Sequence, residues 1–166
     1  MKFSQVFEQG IGADVFIRLA DGQSIEGVLR GDPYEFWQHW VNKIPSECKG
    51  KGCQLCAEGS KAIFRFRINM IVKGEDGNLI AKIFEQGKTI YQLLQDLSVS
   101  GYDLEVTKIK IARKGSTMSD TTYNVLPVPN GVLNEYQLKA VQAVKLNDLK
   151  PQEKTNEQTK DFDIPF

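Results

Sequence analysis

The segment 62–72, AIFRFRINMIV, constrains the fold of this chain more than any other. Phe64, Phe66, Ile68, Met70 and Val72 take every second position, with Arg65, Arg67 and Asn69 between them. A repeat of two is that of a β-strand, which sends alternate side chains to opposite faces. The chain must therefore build a sheet with one dry face. VFIRL (15–19) and SIEGVLR (24–30) flank Asp21-Gly22, a hairpin dipeptide. LIAKIFE (79–85), EVTKIKIARK (105–114) and TTYNVLPV (121–128) bring the predicted strands to six. Ile90, Leu93, Leu94 and Leu97 recur at helical spacing and predict a helix over 89–97. A second helix is expected over 134–146, with Asn134 as its N-cap.

The expected fold class is mainly β, with one helix before the last two strands. The five-stranded OB barrel carries its helix there and commonly binds single strands or oligosaccharides, although SH3-like barrels share much of the strand pattern. Six strands against five make one member of the first hairpin an addition, or half of a long bent strand.

With 41% apolar and 25% charged residues in 166, the composition is that of a soluble globular protein. No apolar run is long enough for a membrane helix, and MKFSQVFEQG lacks the layout of a signal peptide, so no membrane partner is expected. Lys and Arg total 21 and Asp and Glu total 21, a balance that argues against a nucleic-acid binder. The charge is unevenly placed, however. PQEKTNEQTKDFDIPF (151–166) holds four acidic and two basic side chains, leaving 19 basic against 17 acidic in residues 1–150. With no aliphatic or aromatic residue between Lys150 and Lys160, nothing there can offset the entropy of ordering. Two units are expected: a folded body, 1–150, and a flexible acidic tail, 151–166.

All three cysteines and the single histidine fall within eighteen residues, as His39, Cys48, Cys53 and Cys56. Thiolates with an imidazole form a tetrahedral set suited to structural Zn2+, and Gly50 and Gly52 let the chain turn tightly around an ion. A Cys53–Cys56 redox pair and a chance grouping are the other readings. Zinc deaminases place Glu two residues after the histidine, where this chain has Val41. With four protein ligands, and no second histidine or nucleotide-binding glycine loop, no enzyme activity is expected.

PYEFWQHW sets Tyr34, Phe36, Trp37 and Trp40 within seven residues. Such rings stack on bases without regard to sequence, or pack the metal segment against the sheet; a division between the two roles is expected. Arg65 and Arg67, Lys82 beside Phe84, and Lys108 and Lys110 alternate with core residues on three strands. That pattern predicts either a cationic track for phosphates or the ordinary solvated side of a sheet. The tail closes with Asp161, Phe162, Asp163, Ile164, Pro165 and Phe166, whose apolar side chains suit a partner's pocket.

DFDIPF resembles the C-terminal tip through which bacterial single-stranded DNA-binding proteins recruit replication, recombination and repair proteins, with fewer consecutive aspartates. Over residues 15–128, SIEGVLRGDPYEFWQHW, CKGKGCQLC, FRFRIN, AKIFEQG and DTTYNVLP are similar to bacteriophage single-stranded DNA-binding proteins. That resemblance implies an OB-fold barrel with a zinc-knuckle insertion at about 33–60. It also implies zinc on His39, Cys48, Cys53 and Cys56, at closer spacing than in the T-even phage helix-destabilising protein. Tyr34, Phe36, Trp37, Arg65, Arg67, Lys82 and Phe84 would be DNA contacts. The expectation is a non-enzymatic, sequence-tolerant single-stranded DNA-binding protein of a bacterial host's cytoplasm, acting in replication, recombination or repair. A zinc-containing interaction adaptor and an RNA chaperone on the same fold are the alternatives.

Overall fold

The computed structural model describes residues 15–151. In chain order the elements are β1 (Ser24–Val41), β2 (Ile44–Glu47), α1 (Gln54–Ala57), β3 (Ile63–Lys73), β4 (Leu79–Gly87), α2 (Lys88–Val99), β5 (Thr107–Lys114), β6 (Thr122–Val132) and α3 (Glu135–Gln142). The strands form one antiparallel sheet in the order β4-β3-β1-β5-β6, and β2 pairs with the outer half of β1. The alternation in β3 does what period two demands. Phe66, Ile68, Met70 and Val72 join Leu29, Phe84, Ile109, Ile111 and Val125 in the main core, closed by Ile90 and Leu94 of α2. That helix lies between β4 and β5, before the last two strands, as expected.

The second face of the sheet is also partly covered. Val28 and Ile71 pack with Val141 of α3, flanked by Leu133, Val144 and Leu146. Asn134 caps α3 through a reciprocal exchange with Gln137. Past the helix the chain is pinned to β3. The Asn147 N–H donates to Asn69 Oδ1 at 2.9 Å, and Asn69 Nδ2 donates to the Asn147 carbonyl at 3.0 Å.

Two expectations need correction. Residues 15–19 do not form a strand against 24–30, although Asp21-Gly22 does turn. Both edges of β1 are already taken by β3 and β5, so the segment crosses to β4, where Phe16 makes a single parallel bridge with Ile83. Residues 24–30 are the first half of a long bent strand, one of the two readings expected for the first hairpin. Between Arg30 and Tyr34, β1 advances four residues while β3 advances two, and this bulge swings its second half away. Lastly, no ladder joins β4 to β6 among the described residues, so the sheet is open there. The expected tail, 151–166, lies outside the described residues apart from Pro151.

Gly27 sits where β1 passes β3 and β5. A methyl group there would meet the Ile71 carbonyl oxygen and come within 2.9 Å of Val72 Cγ1. Backbone cannot yield as a side-chain tip can. Gly27→Ala is therefore expected to destabilise the fold by about 3 kcal/mol, the upper end of overpacking, as a lowered denaturant midpoint. A midpoint equal to that of the parent would contradict this packing.

Candidate metal centre and neighbouring aromatic surface

The centre is assembled from a strand, a hairpin and one helical turn. His39 lies on β1 and is fully buried at 0% exposure. After Val41 the chain reverses through Asn42 (φ 51°) and Lys43 (φ 63°), the paired positive angles of a type I′ hairpin, and returns as β2. Cys48 follows directly, and its N–H donates to the Trp37 carbonyl at 2.7 Å. Gly50 (φ 77°) and Gly52 (φ 81°) then fold the loop back, in the left-handed conformation expected of glycine at a tight turn. Cys53 is the N-cap of α1, and Cys56 lies inside its single turn.

This path brings the four donor atoms within 4.8 Å of one another. Cys48 Sγ lies 3.5 Å from Cys56 Sγ, and His39 Nε2 lies 3.3 Å from Cys56 Sγ and 3.6 Å from Cys53 Sγ. A tetrahedral ion with metal–sulfur bonds near 2.3 Å and metal–nitrogen bonds near 2.0 Å separates its ligands by about 3.6–3.8 Å. The four residues fit a metal ion, and the donor set is compatible with zinc.

The surroundings suit ligation. His39 Nδ1 faces Ser60 Oγ at 3.1 Å, which leaves Nε2 directed at the sulfurs. The backbone N–H of Cys56, with that of Lys49, draws the Cys53 thiol down to about 6. A hydrogen bond with Cys48 pushes Cys56 up to about 11. Metal ligation needs thiolates, so a bound cation displaces protons from this cluster. Ser60 carried no signal in the sequence, because it lies 21 residues from the histidine it orients.

The aromatic residues differ in exposure. Trp37 and Trp40 on β1 are 55% and 56% exposed. Trp37 rests edge-on against Phe64, with centroids 5.7 Å apart, and Phe64 against Tyr91 at 5.3 Å. Tyr34 is half-buried and donates to Glu47 Oε1 at 2.7 Å, tying β1 to the end of β2 beside Cys48. That bond, accepted by a carboxylate, raises the Tyr34 pKa above its ordinary value. Phe36 and Phe84 are a correction to the expected DNA contacts. At 5% and 1% exposure both are buried, and neither presents a ring face to a base.

The expected cationic track is also divided. Arg65 pairs with Gly87 and Arg67 with Glu85, but Lys82 pairs with Met70 and Phe84 with Ile68. Paired residues share a face, so Lys82 and Phe84 lie on the core side and the two arginines on the other. Counting alternation within each strand could not reveal this, because the register between strands decides it. Lys110 is exposed opposite Glu26, and Lys108 is half-buried.

The two arginines are engaged within the protein. Glu85 lies 3.6 Å from Arg67 and 4.0 Å from Arg65. The Arg67 guanidinium also sits 5.0 Å from the Phe16 ring centroid and 5.4 Å from that of Phe36, and it donates to the Leu149 carbonyl at 3.4 Å. Arg67→Ala is therefore expected to lower stability by about 1–3 kcal/mol, read from denaturant unfolding, because Glu85 loses its nearer partner. Loss of single-strand affinity with stability unchanged would contradict this structural role.

No protein-family model, curated protein or solved structure matches this chain. No helix among the described residues is long and apolar enough to cross a membrane.

Proposed function

We propose that this protein binds single-stranded DNA without sequence preference, on an OB-type sheet braced by structural zinc. The observation that carries the reading is the placement of Trp37 and Trp40. Both are more than half exposed on the strand that contributes the buried ligand His39. Large rings left in water gain nothing for the fold, whereas every base offers a face on which to stack. A strand fixed by a metal ligand holds such rings ready at little further entropic loss. The order β1, β3, β4, α2, β5, β6, with β2 inside the metal insertion, agrees with a partly open five-stranded barrel that carries its helix before the last two strands.

In this reading the tryptophans replace base stacking that the strand has lost. Lysines along the surface neutralise phosphates and release counterions. Asp161, Phe162, Asp163, Ile164, Pro165 and Phe166 recruit replication, recombination or repair proteins in a bacterial host. In this reading the protein is not an enzyme.

Fluorescence anisotropy of labelled oligomers at increasing salt tests the reading. Expected is tight binding to oligo-dT, weak binding to duplex of the same length, and a log–log salt slope of about −0.7 per phosphate contacted. Equal affinity for duplex, or no binding at low salt, would sink it. Tighter binding to U than to dT oligomers would assign the surface to RNA.

A further inference from the structure

We propose that the metal lobe, residues 42–61, is itself a phosphate-contacting surface, with Lys43, Lys49, Lys51 and Lys61 engaging the backbone of a single strand whose bases stack on the neighbouring Trp40. This rests on the single-strand reading above and moves its main cationic contact from β3 to the lobe.

All four lysines are exposed. Among the described residues none pairs with a carboxylate; the ion pairs there join Arg65 and Arg67 to Glu85. The lobe's two acidic residues are occupied by uncharged neighbours. Glu47 accepts from the Tyr34 hydroxyl at 2.7 Å, and Glu58 accepts from Gln54 Nε2 at 3.0 Å. The lobe thus carries four cations without ion pairs among the described residues, while on β3 Arg67 is held by an acid, two rings and a carbonyl and Arg65 lies 4.0 Å from the same acid.

Backbone conformation at the hairpin tip gives an independent indication. Lys43 holds φ 63° at the second central position of a type I′ turn, where glycine is the favoured residue. A lysine kept at such a position sacrifices local stability, and its exposed side chain makes no ion pair among the described residues that would return it. Along Lys49-Gly50-Lys51-Gly52, both glycines face open space and both lysines are exposed. Trp40 lies opposite Pro45 in the same hairpin, which places an exposed ring on the arm whose tip carries Lys43. Cations for phosphates next to planes for bases favour a nucleic-acid strand over an acidic protein, which offers nothing to stack.

The test uses the full, metal-loaded chain and oligo-dT. Lys49→Gln with Lys51→Gln is expected to retain one metal per chain and to weaken binding, with the salt slope shallower by about 1.4, or two lost contacts. Lys43→Gly is expected to weaken binding while Tm holds or rises, a combination that a merely structural lysine would not produce. If the parent binds oligo-dT and both variants keep its Kd and slope, this proposal is overturned and the single-strand reading stands. A parent that does not bind oligo-dT overturns both. Poly-glutamate competing as well as oligo-dT would assign the lobe to acidic proteins and also overturn it.

Discussion

Cys53→Ser is expected to abolish stoichiometric metal binding and to lower Tm by about 10 °C or more. The lobe between Asn42 and Lys61 has little core of its own. Of its residues only Cys53 is buried, and α1 is a single turn. What holds the segment is the convergence of four donor atoms within 4.8 Å, three of them cysteine sulfurs. Structural zinc contributes about 10–16 kcal/mol of apparent binding energy in small finger peptides, and that binding is coupled to folding. Even a loss of about 4 kcal/mol moves Tm by about 10 °C in a chain of this size. A strong chelator should have the same effect as the substitution. Ser60→Ala is expected to be milder, weakening metal affinity about 10- to 100-fold, because it removes only the group that orients His39. Metal content by atomic absorption together with thermal unfolding checks all three. A protein that lacks metal as purified and melts unchanged in chelator would overturn the metal centre.

The second large effect concerns the tryptophans. Trp37→Ala and Trp40→Ala are each expected to weaken oligo-dT binding by about 1–3 kcal/mol, or roughly 5- to 150-fold, with Tm nearly unchanged. Exposure is the reason for the split. A ring more than half in water leaves little cavity when truncated, whereas it loses its whole face for a base. Phe84→Ala should do the reverse, because Phe84 is 1% exposed within the main core. Its removal is expected to destabilise by about 3–5 kcal/mol and to reach affinity only through unfolding. Trp37→Phe should recover most of the lost binding, since a plane for stacking remains. If the tryptophan variants melt early and bind as the parent does, the rings are packing residues and the surface lies elsewhere.

Much of the architecture was legible in the sequence because it rests on local periodicity. The alternation from Phe64 to Val72 fixed β3 and its dry face, the spacing of Ile90, Leu93, Leu94 and Leu97 fixed α2, and Asn134 marked the start of α3. The metal residues were legible for a different reason. Cysteine and histidine have few other reasons to cluster, so their identity alone selected the set that the fold brings together.

What was hidden depended on partners distant in the chain. The side of the sheet taken by Lys82 and Phe84 follows from their pairing with Met70 and Ile68. The crossing of residues 15–19 to β4 depends on β5 having already filled the edge of β1. Covering of the second face by α3 brings Val141 to Val28 and Ile71, and the clasp of Asn69 by Asn147 joins residues 78 positions apart. Balanced overall charge hid the lobe, where four lysines stand against two hydrogen-bonded glutamates. Net charge measures bulk attraction, and a strand is recognised by the local placement of cations and rings.

The most direct measurement is intrinsic tryptophan fluorescence of the metal-loaded protein titrated with oligo-dT at low salt. Both tryptophans of the chain lie on β1 beside the metal centre, on opposite faces of the strand, so the signal reports that segment alone. A saturable change with oligo-dT, little change with duplex of the same length, and loss of the response in chelator are the predicted results. Fluorescence that stays constant through the titration would contradict the assignment of this surface to single-stranded DNA.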